Sequence, residues 1–297
     1  TGVQTCALPI FIVFFIPYTA SGFNACGTLF SSLFGVDYFT AMVVSAVVIV
    51  LYTALGGFLA ASTTDLIQSI IMTIALIIVV FFGIHMAGGW SSVISNAQTL
   101  PGYLSFTQTY DAASGTAAAY TPLTIVSTLA WGLGYFGMPH ILLRFMAIED
   151  VNKLSTSRRI GTTWVVISMA IAVLIGVVGN GMIHAGALDE IPAADSQRII
   201  IKISTLLSSY GVLPAIVAGL ILSGILAATM STADSQLLAA ASSVTQDLLQ
   251  GTMKIKLSDK AAMIIARLTV IGIAIVGVIW ARNEGSVFTI VSFAWAG

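Results

Sequence analysis

An all-α, polytopic bundle of membrane-crossing helices is the fold class this sequence predicts, and two observations predict it. Of the 297 residues, 58% are hydrophobic and only 8% are charged, where soluble domains carry about 25% charged residues. The apolar residues also gather into runs of about 20 or more, the length a helix needs to cross a hydrocarbon core.

Taken in order, the runs give about eight spans, at 8–34, 39–60, 64–87, 122–147, 160–186, 208–245, 262–282 and 286–297, the last incomplete. The first is rich in phenylalanine over 11–23. Gly56 and Gly57 form a Gly-Gly break near the end of the second. Residues 88–121 read as a polar loop of Gly, Ser, Thr and Ala with no Lys or Arg. The fourth span is interrupted by Gly132, Gly134, Gly137 and Pro139, which weaken helix at adjacent positions. Segment 187–207, with D-E-I-P-A-A-D, reads as a short amphipathic surface helix. The sixth run would measure about 57 Å as one helix, against a core of about 30 Å, so it must tilt, bend or project. Residues 246–261 form a short charged connection to the seventh.

Basic residues set the orientation. Lys153, Arg158 and Arg159 lie in loop 148–159, and Lys254, Lys256 and Lys260 in loop 246–261. The other side has Arg198, Lys202 and Arg282. This bias puts the two basic loops in the cytoplasm. Trp90 then reads as an interfacial anchor on the outer side or as an ordinary loop tryptophan.

Other classes lose their usual residues. A formal net charge of −1 gives no basic surface for nucleic acid. Cys6 and Cys26 make no disulfide framework. HExxH, GxGxxG, P-loop and CxxC patterns are missing, and no nucleophile–base pair is evident, so an enzyme is not expected. Residues 1–10, T-G-V-Q-T-C-A-L-P-I, match one translated frame of a common sequencing adapter and are expected to be non-native. Residues 11–297 then read as part of a transporter domain truncated at both ends.

The chemistry gathers in three places. In A-A-T-M-S-T-A-D-S-Q-L-L, residues 227–238, Ala228, Ser231, Thr232 and Ser235 fall on one helical stripe, and Asp234 reaches its flank. An ionised carboxylate at bilayer depth costs about 2.5–3.5 kcal/mol. No Lys or Arg lies between Lys202 and Lys254, so a bound cation is the predicted partner of Asp234. In W-G-L-G-Y-F-G-M-P-H, residues 131–140, Trp131 and Tyr135 share a helix face beside a broken or Pro-kinked stretch. Broken helices at membrane depth line cavities or bind solutes, though a kinked, tightly packed helix is an equal reading. Asp65 follows the Gly-Gly break as a helix N-cap by default, or as a cation ligand. Tyr18 faces a pathway or helix packing. Arg144 reads as a snorkelling or carbonyl-bonding residue. His85, His140 and His184 suggest no metal site.

Four stretches in order, 18–30, 51–65, 131–147 and 224–238, together with S-F-A-W-A-G at 292–297, resemble the sodium:solute symporter family and its proline-transporting branch. The resemblance covers essentially everything after residue 10. It implies a leucine-transporter-type inverted-repeat fold that moves solute by alternating access, with Na+ as coupling ion. It assigns the Ala228 carbonyl, Ser231 and Thr232 to the principal Na+ site, and hard cations take such oxygen ligands. Asp65, Ser231, Asp234 and Ser235 match a second Na+ site of some members, which lifts Asp65 above capping. Asp234 stands where other members have a hydroxyl, so it strengthens that site or serves a proton-linked role. Tyr18, Trp131, Tyr135 and Pro139 match positions tied to proline binding. Met138 replaces a common glutamine, and Ser235 a cysteine of some members.

The expected function is therefore Na+-coupled symport of a small amino acid, L-proline foremost, across a bacterial cytoplasmic membrane. The alternatives are another solute of the same family, such as pantothenate or a different amino acid, or a transporter-like solute sensor. A channel is disfavoured because no repeated selectivity element is visible.

Overall fold

Helix accounts for nearly all of the regular structure, as the apolar runs require. The structure is a computed structural model. It describes residues 2–112, 114–134, 138–283 and 285–296, and their side chains except those of 2–12, 193, 194 and 296. In chain order the helices are α1 (Gly2–Phe34), α2 (Tyr38–Met86), α3 (Trp90–Thr99), α4 (Pro122–Gly134), α5 (Pro139–Met146), α6 (Leu154–His184), α7 (Ile199–Ser208), α8 (Val212–Ser242), α9 (Asp259–Trp280) and α10 (Val287–Ala296). By length and composition, four described stretches can cross a membrane: Tyr38–Met86, Val151–His184, Val212–Thr252 and Asp259–Trp280.

The expected second and third spans form one element. As a single helix the 49 residues of α2 would measure about 73 Å, enough for two passes. The break falls at Gly57, with φ 62° and ψ −162°, a left-handed backbone that only glycine adopts without strain. A Cβ on Gly56 would come within 2.6 Å of the Ala60 Cβ, so the kink needs the first glycine as well. One residue changes the chain direction, and no gap of the expected length is needed. Asp37 starts this helix: its carboxylate accepts from Thr40 N at 2.9 Å and Thr40 Oγ1 at 3.0 Å. Those two bonds hold the carboxyl below its ordinary range, the backbone bond contributing most.

Three expectations are corrected by local hydrogen bonding. The polar stretch 88–121 is not all loop. It holds α3 and an antiparallel hairpin of β1 (Gln108–Asp111) and β2 (Thr116–Ala119), with Gln108 opposite Ala119. Helix α6 begins at Leu154 rather than 160, after a tight turn over Val151–Lys153 in which Asn152 N donates to the Asp150 carboxylate at 2.9 Å. Its first turns carry Arg158 and Arg159, which an apolar run cannot signal. Segment 187–207 contains α7, amphipathic as expected, with Ile201, Ile203, Ser204 and Leu207 buried. The charged connection after α8 starts as helix too: Ser243–Thr252 continues with wider π-type turns, and Met253 N donates to Leu248 O five residues back. This is how the overlong sixth run is accommodated.

The chain divides into two compact units. The first comprises Thr1–Ser69, Pro139–Leu143 and Ile225–Gly297. Here α1 packs against α9, α10 and the π-type segment, and Phe23, Leu29, Met42, Ile49 and Leu237 are fully buried. A Cβ on Gly22 would lie 3.3 Å from the Ala233 Cβ, so α1 and α8 are in close approach. With its amide oriented to suit its neighbours, Asn24 grips the backbone of Gly285 through two bonds of 3.0 Å. The Tyr38 hydroxyl donates to Ala281 O at 2.8 Å, which ties the start of α2 to the end of α9.

The second unit comprises Ile70–Met138 and Arg144–Gly224. Its core joins Val79 of α2, Val93 of α3, Val178 and Met182 of α6, Ile203 of α7 and Ile221 of α8. Two polar ties cross this core: Asn96 Nδ2 donates to Asn180 Oδ1 at 2.7 Å, and Trp164 Nε1 donates to Thr73 Oγ1 at 2.9 Å.

Candidate functional site

The predicted oxygen stripe on α8 exists and is convergent. Ser231 Oγ and Thr232 Oγ1 both donate to the Ala228 carbonyl, at 3.2 and 3.0 Å. Helix geometry produces this directly, since residues three and four apart stand above one another. All three residues are half-buried. The hydroxyl protons point back into the helix, which leaves oxygen lone pairs directed away from it. Ser235, one turn further, donates to Ser231 O at 2.8 Å and lies 3.2 Å from Asp234 Oδ1.

Asp234 itself is fully buried, at 0% exposure. Its second oxygen, Oδ2, accepts from the Tyr52 hydroxyl at 2.9 Å. Tyr52 belongs to the arm of α2 before the Gly57 break, and the same phenol lies 3.2 Å from Met230 O. Asp65 is half-buried in the arm after the break, within electrostatic range of Tyr52. It lies eight residues past Gly57, within regular helix, and Thr64 Oγ1 donates to Ala60 O and Ala61 O in the manner of a helix interior. The N-cap reading of Asp65 therefore fails. The arm before the break ends on a cation: Arg267 Nε of α9 donates to Ala54 O at 3.1 Å. That carbonyl would bond Phe58 N in an unbroken helix, so the guanidinium serves a group next to the kink.

The residues expected to contact solute divide between the two units. In the first, Tyr18 of α1 meets His140 of α5 edge-on, with ring centroids 5.8 Å apart, and Trp295 of α10 at 6.2 Å. His140 also meets Phe15 edge-on at 5.9 Å. Pro139 is the first residue of α5, where its missing N–H costs nothing. Trp131 lies in α4, within the second unit. Tyr135 lies outside the described residues. The break between Trp131 and His140 is present: α4 stops at Gly134, α5 starts at Pro139, and neither the 13 nor the 8 residues could cross a membrane alone.

Sequence reasoning missed Tyr52 and Trp295 and gave His140 no role. Tyr52 and Trp295 both lie inside stretches that carried the family resemblance, but their partners are far away in sequence: Tyr52 and Asp234 are 182 positions apart. It also missed the buried pair Thr19 and Gln236, whose Oγ1 and Oε1 are 3.3 Å apart between α1 and α8.

Residues 3–297 match the family model described as the sodium:solute symporter family. This chain belongs to that family. Family members are carriers, not enzymes. Among curated relatives, it is 39% identical over 289 residues to the osmoregulated proline transporter OpuE of Bacillus subtilis (strain 168), covering 97% of this chain and 55% of that protein. It is 37% identical over 303 residues to the high-affinity proline transporter PutP of the same organism, covering 100% and 60%. To a sodium/proline symporter of Staphylococcus aureus it is 36% identical over 292 residues, covering 97% and 54%. The chain thus spans little more than half the length of these relatives. Among solved structures, it matches a Na+-coupled sialic acid symporter in a substrate-bound, outward-open state with a TM-score of 0.71 at 18% identity, covering 93% of this chain and 57% of that one. The symporter family's leucine-transporter-type fold therefore extends over nearly the whole of this chain.

Proposed function

We infer that the full-length protein couples the entry of Na+ to uptake of a small amino acid, L-proline foremost, across a bacterial cytoplasmic membrane. The observation that carries this reading is the convergence of Ala228 O, Ser231 Oγ and Thr232 Oγ1 within 3.2 Å on one half-buried face of α8. A neutral set of one carbonyl and two hydroxyls suits a hard monovalent cation that must be released again. Proline as solute is supported by the names of the curated relatives, and by Tyr18 standing among aromatic rings at the start of the α5 half-helix.

A second cation position draws on Asp65, Ser231, Asp234 and Ser235. It is supported by the bonds that join Ser231, Asp234 and Ser235, and the sialic acid symporter is itself described as revealing a novel Na+ site. Tyr18, Trp131, Tyr135 and Pro139 are the proposed solute contacts, with Met138 as the departure that would tune selectivity. Uptake of labelled proline by the full-length protein in liposomes, driven by a Na+ gradient, tests the reading. Thr232→Val should raise the Na+ concentration for half-maximal uptake roughly tenfold or more, because one oxygen ligand is lost. Saturable Na+-driven uptake of another solute with proline ignored would overturn the substrate, and proline uptake indifferent to Na+ would overturn the coupling.

A further inference from the structure

We propose that Tyr52 is a positioning residue for the Asp234 carboxylate, and through it sets the cation requirement of transport. The proposal rests on the reading above, in which Asp234 contributes to a second cation position. Asp234 is fully buried in the last third of α8, and both of its oxygens are engaged: Oδ1 lies 3.2 Å from Ser235 Oγ, and Oδ2 accepts from the Tyr52 hydroxyl at 2.9 Å. The two contacts differ in kind. Ser235 is the next residue on the same helix, so its contact moves with α8 and cannot hold the carboxylate relative to anything else. Tyr52 comes from α2, and its phenol also rests 3.2 Å from the Met230 carbonyl. Residues 230 and 234 are one turn apart on the same helix face, so the phenol touches α8 at two heights.

The platform that carries Tyr52 is itself fixed. Two residues further on, Ala54 O takes the Arg267 Nε–H at 3.1 Å, and three residues after that Gly57 breaks the helix. Tyr52 is therefore on the last turn of a pinned arm, while Asp65 starts from the arm beyond the break. A hydrogen bond to an ionised carboxylate is short and directional, and in a low-dielectric interior it fixes the orientation of the group more than it would in water. Without the phenol, the carboxylate of Asp234 loses its tie to α2 and keeps the Ser235 contact on its own helix, so a cation must order it relative to the α2 arm on binding. Preorganisation of this kind is worth roughly tenfold in affinity when one charge-assisted bond is removed.

The experiment uses full-length protein in liposomes and measures initial proline uptake against Na+ concentration for wild type, Tyr52→Phe, Asp234→Asn and the double variant. Tyr52→Phe keeps the ring and removes only the hydroxyl. Its half-saturating Na+ concentration should rise roughly tenfold, while half-saturating proline, measured at saturating Na+, should move by less than about twofold. The double variant should be no worse than Asp234→Asn alone, because Tyr52 acts through that carboxylate. A Tyr52→Phe protein with an unchanged Na+ requirement, or effects that add in the double variant, overturns the proposal. Thermal melting of the same four proteins without transport reads the tie separately. If wild type takes up no proline with Na+, the functional reading fails, and non-additive melting of the Tyr52 and Asp234 variants still decides whether the two residues are coupled.

Discussion

The Ala228 carbonyl receives two side-chain hydroxyls from its own helix, and this crowding of three oxygens was legible in the sequence because it needs nothing but the helical repeat. The surroundings of Asp234 were legible only by half. A buried carboxylate without a basic neighbour in sequence calls for a partner, but nothing local says that a phenol 182 positions earlier is one. Asp65 shows the reverse error: three hydroxyls and a Gly-Gly pair imitate a helix start, and the kink at Gly57 places the start seven residues before Thr64. Asp37 is the capping aspartate instead. Its carboxyl is held below the ordinary range by Thr40, so the stabilisation it gives is full at neutral pH and is lost as pH falls through that lowered value. Asp37→Ala should lower the melting temperature of the full-length protein at pH 7, and the gap between variant and wild type should close on acidification. A gap that persists at acid pH would mean that the carboxylate is not responsible.

At the scale of elements, hydropathy located nearly every long helix, since each must present apolar side chains to lipid along its whole length. It failed where backbone geometry decides. The hairpin of Gln108–Asp111 with Thr116–Ala119 is built from Thr, Ala, one Gln, one Tyr and one Asp, a composition with little pattern of its own, and its pairing supplies the order. The Gly57 kink is a second case, visible as a Gly-Gly pair but not as a single left-handed residue. Gly57→Ala should destabilise the protein by about 1 kcal/mol or more, because an alanine there is strained in the folded chain. Chemical or thermal unfolding of the full-length protein measures this. An alanine variant as stable as wild type would show that the residue relaxes out of the positive-φ region at no cost.

The division of the molecule could not have been read from the chain in order. Helices α2 and α8 each begin in one compact unit and end in the other, and the unit boundary also cuts α5 after Leu143, so no composition shift or linker marks the change. What sequence does report is chemistry: the α8 half after Gly224 carries the oxygens, and the half before it carries Ile221 into an apolar core. Cation binding to the folded form alone should stabilise the whole protein by about 2.7 kcal/mol at 100 times the dissociation constant. The full-length protein should therefore melt at a higher temperature in NaCl than in choline chloride of equal strength, and equal melting in the two salts would remove the resident-cation reading. The wide turns of Ser243–Thr252 add a last consequence. Successive residues there advance through a smaller angle than in an α-helix, because each loop of backbone encloses one residue more. The line of side chains through Ala228, Ser231, Thr232 and Ser235 would run on through Ala239 to Ser242 and Gln246 in an unchanged helix; the slip in phase at Ser243 turns Gln246 off that line, and its side chain is exposed.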